Sequence, residues 1–149
     1  MRLTQLSLAL ALCVVSALPG VASARTISAA AGMPASLNGA NQSIDDFAWL
    51  NTGIIAPNAT AASPRIWVIA TTLDTAGLKG FIVKGTPSAS LTCRVEQRGT
   101  VQESFAIPVS AVGTNPAPVF VNVQPGNTVV VRCTFTSSSG RVLLVDHNP

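Results

Sequence analysis

From residue 65 onward, apolar and polar side chains alternate in short runs, and the runs predict strands rather than helices. Residues 89–97 set Leu91, Cys93 and Val95 against Thr92, Arg94 and Glu96. A period of two gives a strand one buried and one wet face. Residues 101–107 set Val101, Glu103, Phe105 and Ile107 against Gln102, Ser104 and Ala106. Residues 65–73 are β-branched and aromatic, and apolar on both parities at the start, as in a central strand. Residues 78–84, 119–123, 128–135 and 141–145 complete about seven strands, spaced by roughly 8–12 residues. Turn residues separate them. Pro125 and Gly126 stand at the central positions of a type II turn.

This pattern predicts an all-β fold, an antiparallel two-sheet sandwich. An immunoglobulin domain places its core Trp between the paired cysteines. Here Trp49 and Trp67 both precede Cys93, so the expectation is immunoglobulin-like at most. The alternation also argues register. A three-residue turn at residues 98–100 pairs Leu91 with Ile107 and Cys93 with Phe105, which keeps one apolar face. A two-residue turn would set Glu96 opposite Glu103. A four-residue turn at residues 137–140 would make the last two strands a hairpin, with Phe135 opposite Val142 and Cys133 opposite Leu144. Both cysteines then point inward.

Upstream the signals change. Residues 43–50 fit a short helix capped by Ser43, with Ile44, Phe47 and Leu50 on one face, or equally a short strand. Residues 51–64 are rich in Ala, Asn and Pro and read as a surface loop. Residues 25–42 hold Ala, Gly, Ser and Asn with few large apolar groups, and read as a loosely held leader. Residues 1–24 follow the order of a secretory signal: Arg2, an apolar run from Leu6 to Leu18, the breakers Pro19 and Gly20, then Ala22-Ser23-Ala24. Cleavage is expected after Ala24. The apolar run is short of the roughly 20 residues of a spanning helix. The domain proper is then residues 43–149, placed in the periplasm or outside the cell.

Cysteine usage agrees with export. Cys13 leaves with the signal, and Cys93 and Cys133 remain to form one disulfide. The chain carries nine basic and six acidic side chains. Loss of residues 1–24 removes Arg2 and leaves a net charge of +2. No Lys/Arg run marks a nucleic-acid face.

Chemistry-bearing residues are sparse. Glycosidases need two carboxylates on one surface, and the argued register puts Glu96 and Glu103 on opposite faces. Asp45 and Asp46 are neighbours that diverge on either a helix or a strand. With Asn51 they make at most a weak Ca²⁺ candidate, and no metal or cofactor is expected. His147 is the third residue from the last, where ends fray, so no Ser-His-Asp arrangement is expected. Asn41 and Asn58 begin N-glycosylation triplets. Phe47, Trp49, Trp67 and Phe120 suit a core better than a sugar-stacking platform. The reading is a non-enzymatic binding or structural domain acting on an unknown extracellular ligand or protein, through a polar sheet face or the loops at residues 51–64 and 113–118. A secreted hydrolase and an adhesion or appendage subunit are the alternatives.

Overall fold

The computed structural model describes residues 24–35 and 42–148. All seven expected strands are present: β5 (Arg65–Thr71), β6 (Gly77–Thr86), β7 (Leu91–Arg98), β8 (Glu103–Ile107), β10 (Val119–Val123), β11 (Thr128–Phe135) and β12 (Arg141–His147). Five short ones raise the total to twelve: β1 (Arg25–Ser28), β2 (Met33–Pro34), β3 (Ala48–Leu50), β4 (Gly53–Ile55) and β9 (Val109–Ala111). Runs of two to four residues are too short to show a period of two, so the count of about seven fell short.

Two sheets form. The larger runs β10-β6-β12-β4-β3, with β1 beside β12 and β9 beside β6. The smaller runs β2-β5-β11-β7-β8. Every pairing is antiparallel except β6 with β9. The core lies between the sheets. Phe81, Val83, Val121 and Val145 come from the larger, and Trp67, Ile69, Val95 and Val131 from the smaller. Among the described residues, no helix is long and apolar enough to cross a membrane.

Residues 25–35 of the supposed leader belong to this fold. β1 pairs with β12 from Arg25↔His147 to Ser28↔Leu144, and β2 pairs with β5. Between them Ala29 is buried, and its carbonyl accepts from Trp67 Nε1 at 2.8 Å. Backbone pairing and small side chains do the work here, which composition does not reveal. Only Ala24 of the expected signal segment is described, so that expectation lies outside the described residues. Residues 43–50 turn out to use both options in series. Ser43 caps a 3-10 turn at Ile44–Asp46, and strand β3 follows. Phe47 is buried, whereas Ile44 and Leu50 are exposed. The expected loop at residues 51–64 contains β4 and buries Ala56 and Ala59.

Two registers differ from expectation. β7 and β8 pair Cys93 with Ile107 and Gln97 with Glu103, two residues from the three-residue-turn register. Alternation fixes parity, and a shift of two preserves it. The wider loop is set by Asn127. Its Oδ1 accepts from Thr100 N and Oγ1, and its Nδ2 donates to Val101 O and Gln97 Oε1. Asn127→Ala leaves these groups short of partners. It is expected to cost about 2 kcal/mol and to speed hydrogen exchange across residues 98–102, with a urea midpoint and exchange rates as the measurements. Unchanged exchange there would contradict this account of the loop.

The final hairpin does not form. β11 sits between β5 and β7, and β12 between β6 and the β1/β4 edge. The segment between them therefore crosses from one sheet to the other. Phe135 faces Leu91 and Arg65, and Val142 faces Gly85 and Ile54. Each strand gains two hydrogen-bonded neighbours this way, which outweighs one local pairing. The expected turn at Pro125-Gly126 is present, with Gly126 at φ 78° and Asn127 N bonded to Gln124 O at 3.1 Å. It too switches sheets, joining β10 to β11.

Candidate functional site

The cysteines meet inside the smaller sheet. Cys93 on β7 lies directly opposite Cys133 on β11, their Cα atoms 4.1 Å apart, and the two are disulfide-bonded. Both are buried. A bridge within one sheet differs from the inter-sheet link of immunoglobulin domains.

The other residues singled out in the sequence disperse. Asp46 closes a capping box on Ser43 and pairs with Arg65 Nε at 3.2 Å. Asp45 stays beside the Ser43 hydroxyl. Among the described residues, no three His, Cys, Asp or Glu side chains come together as a metal site would require. Glu96 faces Ser104 across the β7–β8 ladder and Glu103 faces Gln97, so they alternate along the hairpin, although both reach the same trough at its end. Asn58 is exposed, and Asn41 lies outside the described residues.

The aromatic set divides. Phe47 and Trp67 are core, whereas Trp49 and Phe120 are about half exposed. Phe120 walls a groove of about 240 Å³ on the outer face of the larger sheet, with Gly80, Ile82, Pro118, Asp146 and Asn148. Pro118 brings the end of the 113–118 loop to this groove.

His147 is not in a fraying tail. It ends β12, is 2% exposed and stacks on Phe81 with ring centroids 6.0 Å apart. Neither ring nitrogen has a partner. Burial pushes its pKa below the ordinary 6.5. The Asn148 backbone pulls it up, Arg25 pushes it down, and Asp146 and Asp74 pull it up. The folded state therefore refuses a proton that the unfolded chain accepts. Stability is expected to fall as pH drops through 6.5, by at most about 1.4 kcal/mol per pH unit, until the folded ring itself protonates. Urea midpoints measured between about pH 7 and pH 5 should show this slope, and His147→Phe should flatten it. An equal slope in both proteins would rule it out.

What does converge is a charged cluster on the outer face of the smaller sheet. Alternation along β7 puts Arg94, Glu96 and Arg98 on that face, and the β7–β11 register sets Arg132 directly opposite Arg94. Glu96 is nearly buried. It accepts from Arg98 Nη2 at 2.8 Å and pairs with Arg132 Nη1 at 3.6 Å. Along β7 the sequence places Glu96 between Arg94 and Arg98. Instead Arg132 takes the place of Arg94, which turns to β8 and donates to Ser104 Oγ at 2.6 Å and Ser104 O at 3.0 Å. Arg132 Nε is buried and has no partner. Two guanidinium groups thus contact the one carboxylate, and a third, Arg94, lies on the same face directly opposite Arg132. Like charges directly opposite on a sheet repel, so this pair gains from an added anion. The alternation made Arg94 and Arg98 visible in the sequence, whereas Arg132 joins them only through long-range strand pairing.

No protein-family model and no curated protein sequence matches this chain.

Proposed function

We propose that the protein is an exported, non-enzymatic binding domain that meets its extracellular or periplasmic partner with the outer face of the smaller sheet. The observation that carries this reading is the arginine cluster. Arg94, Arg98 and Arg132 are held in place by Ser104 and Glu96 on an open, nearly flat surface. Guanidinium groups oriented in advance lose less freedom on binding. Export is supported by the buried disulfide, which suits an oxidising compartment. It is further supported by the fold's first strand. Cleavage after Ala24 would leave β1 whole, with Arg25 bonded to Asp74 at 2.7 Å.

Two measurements test the reading. The full chain, expressed in a secreting host, should yield protein whose intact mass begins at Arg25 and is two hydrogens lighter than the reduced form. A mass that retains residues 1–24 overturns the export half. Immobilised polygalacturonate, dextran, polyglutamate and single-stranded DNA then probe the face. Wild type should bind at least one, and the Arg94→Gln, Arg98→Gln, Arg132→Gln triple variant should lose it. No binding to any probe, or binding untouched by the triple change, overturns the binding half.

A further inference from the structure

We infer that the arginine face holds two adjoining subsites for a polymer of acidic sugars, each sugar presenting a carboxylate to a guanidinium; this rests on the binding role just proposed. Two shallow troughs flank the Glu96–Arg98 ridge. One, of about 330 Å³, has a floor of Ala35, Val68 and Val130 and a rim of Glu96, Arg98 and Arg132. The other, of about 380 Å³, lies toward β8 and is edged by Glu96, Gln97, Arg98, Gln102, Glu103 and Ser104. Together they run across the strands from β5 to β8. At a strand spacing near 4.8 Å this is about 14 Å, an extended track rather than a closed pocket.

The lining matches the three surfaces of a uronic acid ring. The C–H face of the ring is apolar and suits Val68 and Val130. Its carboxylate suits guanidinium forks, which bind carboxylates in a bidentate manner. Arg98 keeps most of its side chain exposed, and Arg132 beside it is partly exposed. The ring hydroxyls need acceptors, and Glu103 and Gln102 supply them at the second trough.

Other polyanions fit less well. Single-stranded nucleic acid draws its affinity from bases stacked on aromatic rings. Among the described residues, the exposed aromatics Trp49 and Phe120 belong to the larger sheet. An acidic peptide carries no row of hydroxyls for Glu103 to accept.

The decisive comparison is polygalacturonate against the same polymer with its carboxyl groups methyl-esterified, by biolayer interferometry at about 50 mM salt, where surface charge is weakly screened. Wild type should bind the acid form and not the ester. Arg98→Gln and Arg132→Gln should each weaken binding about tenfold, the loss of one good charged contact. Arg141→Gln, on the larger sheet, should bind as wild type does. Arg98 edges both troughs and keeps most of its side chain exposed, so its variant keeps the test valid if Arg132→Gln folds poorly. Equal binding of the ester, or equal affinity for polyglutamate or single-stranded DNA through the same arginines, overturns the sugar assignment but leaves the binding face standing. Failure of every probe overturns both.

Discussion

Replacing Cys93 and Cys133 together by Ala is expected to lower the unfolding free energy by about 4 kcal/mol, with a fall in melting temperature of about 15 °C. The bridge closes a loop of 40 residues. That loop runs from β7 through β8, β9 and β10 before returning on β11. In the unfolded chain it forbids the extended conformations in which these elements are far apart. In the folded sheet the link asks little, because β7 and β11 already place the two positions opposite each other. A domain of this size typically has about 5–15 kcal/mol in hand, so the reduced protein stands near the edge of folding. Urea unfolding of wild type, oxidised and reduced, beside the double variant separates the cross-link from side-chain packing. Reduced wild type should match the variant. A loss under about 1 kcal/mol would show that strand pairing alone holds β7 to β11.

The disulfide was legible because cysteine number and export signals constrain it without any knowledge of topology. The seven long strands were legible for a related reason: each carries its own alternation, so each can be recognised alone. What failed to show were properties of pairs. The β7–β8 register depends on Asn127, which is far along the chain from the loop it shapes. The crossing from β11 to β12 depends on both strands being central, and the turn at residues 137–140 carries no mark of which sheet follows it. Arg132 joined the candidate site for the same reason, through its partner on β7. Burial of His147 was hidden by its place near Pro149. A strand that ends the chain frays only if nothing covers it, and here β1 and β6 flank β12. The half-exposed Phe120 was missed by the opposite error, since an aromatic on an alternating strand is assigned inward unless its neighbours are known.

Trp67→Ala is expected to cost about 3–5 kcal/mol, the range for removing a large buried aromatic, and the greater part of the effect should be loss of contact between the two ends of the fold. Trp67 is fully buried on β5. Its ring lies 4.7 Å from Phe47 and 5.3 Å from Trp49, and its residue pairs across the sheet with Cys133. The indole N–H holds the carbonyl of Ala29, which is the joint between β1 in one sheet and β2 in the other. Gly32 faces the same ring. A Cβ there would come within 2.6 Å of the Val68 carbonyl, which as backbone cannot yield, so this short segment is fitted closely to the indole. Trp67→Phe isolates the hydrogen bond from the bulk. It keeps an aromatic ring but leaves the Ala29 carbonyl with only the Gly32 N–H as donor, a cost of about 1 kcal/mol for the one bond lost. Far-UV circular dichroism through a urea titration measures both variants, since Trp fluorescence would change with the substitution itself. Hydrogen exchange should also rise at residues 25–34 in Trp67→Phe before it rises elsewhere, because this bond anchors the turn between β1 and β2 to the core, beside the strand pairing. Equal stability of Trp67→Phe and wild type would mean that backbone pairing alone secures the N-terminal strands.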